Sequence, residues 1–167
     1  MLIQQRVSDT ELNVTRQEQA ELERLILEHD RIAQRFTRPR QMIYLFVRRA
    51  GNQGVGAYVL LEALKTYSPN ARPATVYRAL DYLLRLGLVV KIDSQSKFFA
   101  RSPHSSQRLC LFMVCSGCGS VHEFIDPFCE KKIEDSVLGA GRVIDKKAIE
   151  ISVLCEMCHP VAGQRTP

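Results

Sequence analysis

No apolar run in this 167-residue chain is long enough to cross a bilayer; the longest, near Leu109–Val114, is roughly a third of what a spanning helix needs. Residues 1–12 mix Gln, Arg, Asp and Glu, with no apolar segment and no small-residue cleavage site. No secretory signal is therefore expected, and the cytoplasm is the default compartment. Internal repeats and low-complexity tracts are absent. With 46% hydrophobic and 25% charged residues, the composition excludes collagen-like, disordered and supercharged chains. An enzyme signature is lacking too. A zinc deaminase needs His-x-Glu with Pro-Cys-x-x-Cys, whereas His122 and Glu123 are adjacent and no proline precedes Cys115. Neither catalysis, a small-molecule substrate nor a membrane partner is expected. The length allows one domain or two small ones, each with a modest core.

What is present is a polarised charge distribution. The formal net charge is +5, from 23 Lys+Arg against 18 Asp+Glu. Residues 1–30 hold three Arg against seven acids, residues 31–100 hold twelve Lys+Arg against three acids, and residues 101–167 hold eight of each. All the excess, +9, lies in the middle stretch. That density suits a polyanion, although a basic face can also be simply solvated.

The periodicity predicts mostly helix in the first hundred residues. Thr15-Arg-Gln-Glu18 has the capping-box pattern and opens a helix over about 15–35. A second helix starts at Thr37-Arg-Pro39 and stops at Gly51; a third runs to about Tyr67. The fourth opens at Pro73, with Val76, Ala79, Leu80, Leu83 and Leu84 as its apolar stripe, and ends at Gly87. Leu88–Ile92 and Lys97–Ala100 then read as a hairpin around Asp93–Ser96. This order is that of a winged helix-turn-helix, whose last helix meets the major groove with its N-terminal residues, here Thr75, Tyr77 and Arg78. Such modules also bind proteins, so the order alone leaves that option open.

Beyond Arg101-Ser-Pro-His104 the pattern changes. Strands are expected at 108–115, 120–125 and 147–154, with a helix from Asp126-Pro127 to about Leu138. The fold class expected is α+β: an extension at 1–36, a winged helix at 37–100, a hinge at 101–107, an α/β domain at 108–160 and a tail at 161–167.

Four of the six cysteines form two pairs, Cys115-Ser-Gly-Cys118 and Cys155-Glu-Met-Cys158, separated by 36 residues. Two CxxC turns can complete a tetrahedral sulfur shell, and zinc suits that soft, closed set best. An iron–sulfur cluster would use the same ligands, and a redox CxxC would need only one pair in a βαβ setting. The gap is too long for a compact ribbon, so an ion here would tie the two ends of the C-terminal domain together. Cys110 and Cys129 remain as small core residues.

Ala74-Thr-Val-Tyr-Arg-Ala-Leu-Asp-Tyr-Leu-Leu84, Gly87-Leu-Val, Pro103-His-Ser-Ser, Cys115-x-x-Cys-Gly-x-Val-His-Glu-Phe124 and Cys155-x-x-Cys158 together resemble the ferric uptake regulator superfamily. Its zinc uptake regulator branch is the most similar, and the resemblance runs from about 37 to 158. It implies a homodimeric, zinc-responsive repressor of zinc-uptake genes that binds an AT-rich palindrome of double-stranded DNA. Cys115, Cys118, Cys155 and Cys158 would hold a structural Zn²⁺. Tyr58, Tyr77 and Arg78 would meet DNA, joining the Thr75 already expected there, and by their placement on one helix face Glu62 and Lys65 could pair between adjacent dimers.

The resemblance also implies a second, regulatory zinc at the hinge, where this chain departs from the pattern. Val90, Arg101 and Lys146 stand where ligands are usual. One expectation is a site rebuilt from His104, Cys110, Glu123 and His122. The other is a lost or rewired site in which Arg101 replaces the metal's charge. A non-sensory winged-helix and zinc assembly protein is a further option, disfavoured by the long gap between pairs.

Overall fold

In the computed structural model the described residues are 13–29, 36–102, 109–144 and 148–159. Helix α1 (Arg16–His29) opens with the reciprocal cap its sequence foreshadows. The Thr15 N–H donates to Glu18 Oε2 at 2.8 Å, and the Glu18 N–H donates to Thr15 Oγ1 at 3.2 Å. Helices α2 (Arg38–Ala50) and α4 (Pro73–Arg85) each carry a proline in the first turn, Pro39 and Pro73, where the missing N–H leaves no bond unmade. Between them lie a 3-10 turn at Gly51–Gln53 and helix α3 (Ala57–Tyr67). Strands β1 (Val89–Ile92) and β2 (Lys97–Ala100) pair antiparallel across a 3-10 turn at Asp93–Gln95. Val55 adds a bridge to Phe98, with backbone bonds of 3.0 and 2.9 Å.

The helices close over Ile43, Val47, Leu60, Leu64, Val76, Leu80 and Leu83. Of the stripe expected on α4, Leu84 is only partly buried, while Tyr82, outside that stripe, is fully enclosed. The Tyr82 ring stacks on Phe36 at 5.8 Å, with the Arg40 guanidinium 3.8 Å above its centroid.

Helix α1 belongs to this same core, through Leu22 and Leu25 beside Val14 and Phe36. Its acids face the basic residues of α2. Arg49 Nε donates to Glu18 at 2.8 Å, Arg48 Nη2 to Glu21 at 3.1 Å, and the Tyr44 hydroxyl to Glu21 at 2.5 Å. Hydrogen bonding to Arg49 holds the Glu18 carboxyl down at about 2. Two positive charges of the basic stretch are therefore neutralised within the fold, and the charge sum overstates what remains for a polyanion.

The C-terminal part is a three-stranded sheet of β3 (Cys110–Cys115), β4 (Val121–Phe124) and β5 (Ala148–Val153), in the order β4-β3-β5. β4 runs antiparallel to β3 and β5 parallel to it, the parallel return being made through helix α5 (Pro127–Gly139). Asp126 caps α5 by accepting the N–H groups of Phe128 and Cys129 at 2.9 and 3.1 Å. One sheet face, carrying Cys110, Phe112, Val114 and Val121, packs on Val90, Ile92 and Phe99 of the hairpin. Helix α5 buries only Glu130, while Ile125, Phe128 and Leu138 stand exposed. Among the described residues no helix is long and apolar enough to cross a membrane.

Docking of α1 can be tested at two leucines. Leu22→Ala, at a side chain 2% exposed, is expected to cost about 2–5 kcal/mol in urea unfolding. Leu27→Ala, at one 75% exposed, should stay within about 0.5 kcal/mol. Acid should loosen the same contact. Because the Glu18 carboxyl is depressed from 4.5 to about 2, its contribution is whole above pH 4.5 and is lost as pH falls through 2, which amide exchange in α1 would follow.

Candidate functional site

Cys115 ends β3, and Cys155 follows β5, the parallel neighbour of β3. Parallel pairing brings both strand ends to the same edge, so residues 40 apart in sequence meet: the Cys155 N–H donates to Cys115 Sγ at 3.4 Å. All four sulfurs, of Cys115, Cys118, Cys155 and Cys158, lie within 4.8 Å of one another. A regular tetrahedron with Zn–S bonds of about 2.3 Å has edges of about 3.8 Å. The Cys118–Cys155 sulfur distance is 3.8 Å. The two turns also fit closely together: a Cβ on Gly117 would lie 2.8 Å from Cys158 Cβ, so only glycine allows this approach.

The electrostatics favour a cation. N–H groups of Cys155, Cys118 and Gly117 lower the Cys115 thiol to about 6, and the Ser120 hydroxyl lowers Cys118. Hydrogen bonding of the Cys158 thiol to the sulfurs of Cys155, Cys115 and Cys118 pushes it up to about 12, a proton that a bound dication would displace. Geometry and donor set therefore fit zinc.

The second candidate set behaves differently. Cys110 and Glu123 do come together, but around Arg101. Its Nε lies 3.4 Å from Glu123 Oε1, and its Nη2 donates to Cys110 Sγ. The other carboxylate oxygen accepts the Ser102 N–H at 2.8 Å. His122 projects from the opposite face of β4, as an immediate neighbour of Glu123 in a strand must, and its ring contacts the Asn52 amide at 3.4 Å. Val90 is buried in the core shared by hairpin and sheet. His104 and Lys146 lie outside the described residues. Among the described residues the four cysteines form the one cluster able to hold a metal. Cys110 and Glu123 meet at the Arg101 guanidinium, and His122 lies on the other face of β4, beside Asn52. Cys129 is half-buried on α5.

Sequence reasoning missed Glu150 and Gln95. Strand register places Glu123, Phe112 and Glu150 in one row across the sheet, on the face that meets the hairpin. Glu150 accepts the N–H groups of Asp93 and Ser94, at 2.7 and 3.3 Å, and so holds the hairpin's turn. Glu123 holds its exit. Gln95 Nε2 donates to the Gly119 carbonyl at 2.8 Å, reaching from the same turn into the first cysteine knuckle. A cleft of about 610 Å³ lies between them, lined by Ser94, Gln95, Cys115, Ser116 and Glu150. The alternation in β5 shows which face Glu150 takes, but its partner depends on tertiary register.

In the helical half, α4 presents Tyr77 and Arg78 to solvent with Thr75 half-buried, and α3 presents Tyr58. Glu62 and Lys65 pair with each other along α3, at 2.9 Å.

Comparisons with known proteins agree on one group. Residues 32–152 match the ferric uptake regulator family. The chain is 33% identical over 138 residues to the zinc uptake regulation protein of Escherichia coli (strain K12), covering 77% of this chain and 76% of that protein. Among solved structures, a zinc uptake regulator complexed with zinc and DNA superposes with a TM-score of 0.75 at 26% identity, covering 86% of this chain and 96% of that one. The crystal structure of holo XcZur gives 0.70 at 28% identity, covering 83% and 96%.

The cysteine centre makes a direct prediction. Cys118→Ser should lower bound zinc below one per chain and unfold the β3–β5 sheet, whereas Cys129→Ser should leave both unchanged. Zinc analysis of the purified proteins with far-ultraviolet circular dichroism checks this.

Proposed function

The chain belongs to the ferric uptake regulator family, and from that premise we propose that it is a zinc-responsive, DNA-binding transcriptional repressor of zinc-uptake genes. The observation carrying this reading is a winged helix, with Tyr77 and Arg78 exposed on α4, joined through a shared core to a four-cysteine centre. Families of this kind regulate transcription and are not enzymes, and the working compartment is the cytoplasm.

The DNA-facing roles follow from side-chain chemistry. Arg78, in the second turn of α4, can fork onto guanine O6 and N7, whereas Tyr77, Thr75 and Tyr58 can touch a thymine methyl or a phosphate. The protein acts as a homodimer on a two-fold site, and the exposed apolar residues of α5 with Ile125, Leu154 and Met157 supply a self-complementary surface. When bound to Cys115, Cys118, Cys155 and Cys158, zinc supplies a closed, redox-inert cross-link between the ends of β3 and β5. The hairpin rests on that sheet, and Gln95 and Glu150 hold its turn there, so ordering of the sheet sets the wing's position relative to α4.

Arg78→Ala should weaken binding to a duplex selected from a random DNA pool by about 1–3 kcal/mol and relax preference at one base pair. Fluorescence anisotropy on single-base variants measures both. A loss equal on all sequences would reduce Arg78 to a phosphate contact, and recovery of no preferred duplex by the zinc-loaded protein would defeat the proposed function.

A further inference from the structure

The joint between the hairpin and the C-terminal sheet contains an ion pair that the cysteine centre does not need. Arg101 and Glu123 have side chains only 9% and 11% exposed, with Nε and Oε1 3.4 Å apart. They belong to different parts of the fold: Arg101 follows β2 directly, and Glu123 lies in β4. A third part adjoins them. An Nη1 atom of Arg101 lies 3.2 Å from the position a Cβ on Gly87 would take, just past the end of α4. The Arg101 N–H donates to the Leu88 carbonyl at 3.0 Å. The side chain thus packs at the C-terminal end of α4, where a positive charge also meets the favourable end of the helix dipole.

We infer that Arg101 is the built-in cation of this hinge, a positioning residue that locks α4 and the hairpin onto the C-terminal sheet without a second metal ion. Buried charges are tolerated only when paired and hydrogen-bonded, and removing one partner strands the other in an apolar setting. Here the pairing is shared between domains, so parting them would leave Glu123 without its counter-charge. The planar guanidinium also does what a compact ion would do at this point: it engages Glu123 and Cys110 together. A dication approaching those two groups would meet a fixed positive charge at contact distance. The inference deepens the proposed function, because zinc would then act on DNA binding through the four cysteines, and that consequence rests on the reading above. The latch itself is tested without DNA.

The experiment uses the full chain loaded with one zinc per monomer, followed by small-angle X-ray scattering before and after excess zinc chloride. Wild type should keep the same radius of gyration in both conditions, and calorimetry should detect no second zinc at micromolar affinity or tighter. Arg101→Ala should scatter as a larger particle while retaining its zinc and its helix content. Arg101→Lys, which keeps the charge but not the fork, should stay closer to wild type. If Arg101→Ala fails to fold, the isosteric Glu123→Gln gives the same readout. An Arg101→Ala or Glu123→Gln protein as compact as wild type would overturn the latch. So would a wild type that binds a second zinc tightly and contracts. Either result leaves the proposed DNA-binding function standing, which fails only on its own test.

Discussion

Seven buried side chains hold the two halves of this molecule together: Val90, Ile92 and Phe99 of the hairpin against Cys110, Phe112, Val114 and Val121 of the sheet. The hairpin therefore has two loyalties. Its other buried residues, Val89 and Phe98, face the helical core, because neighbours in a strand point to opposite sides. A ribbon only two strands wide is marginal by itself, and here each of its faces is covered by a different hydrophobic cluster. The polar contacts that direct the wing add to this packing. Glu150 reaches the turn, Gln95 reaches the cysteine knuckle, and Arg101 meets Glu123 because the shared core has already set the register.

Charge is arranged around that joint in three separate roles. The acids of α1 neutralise Arg48 and Arg49, which stiffens the helical core and removes charge from its surface. The carboxylates of the sheet face inward and grip backbone N–H groups and one guanidinium. The side chains left on α4 and α3, Tyr77, Arg78 and Tyr58, look outward. Four thiolates around one Zn²⁺ carry a net −2, so the metallated chain is less basic than its formal +5 suggests, and its C-terminal half is mildly acidic. The molecule is polarised rather than uniformly basic, with its excess positive charge on the helical half.

Local signals in the sequence carried most of the fold. The capping box at Thr15 and Glu18, the prolines at 39 and 73, the stripe on α4 and the paired cysteines each need only a few adjacent residues to be recognised. What they could not convey was partnership across distance. Tyr82 reads as a polar aromatic beside the stripe, and only Phe36 and Arg40 make its position a buried one. Helix α1 reads as an extension until its leucines meet the core. Arg101 reads as a vacancy in a ligand pattern, yet Glu123 and Cys110 are gathered around it. The opposed directions of His122 and Glu123, by contrast, were available from strand alternation alone.

On the proposed function, zinc at the cysteines governs the wing through the shared core. Hydrogen exchange of the β1 and β2 amides, compared in the zinc-loaded chain and after removal of zinc by a chelator, tests it most directly. Protection in Val89–Ile92 and Lys97–Ala100 should fall together with that in β3, while the amides of α2 and α3 stay protected. A hairpin that keeps its protection after β3 has lost its own would contradict the coupling.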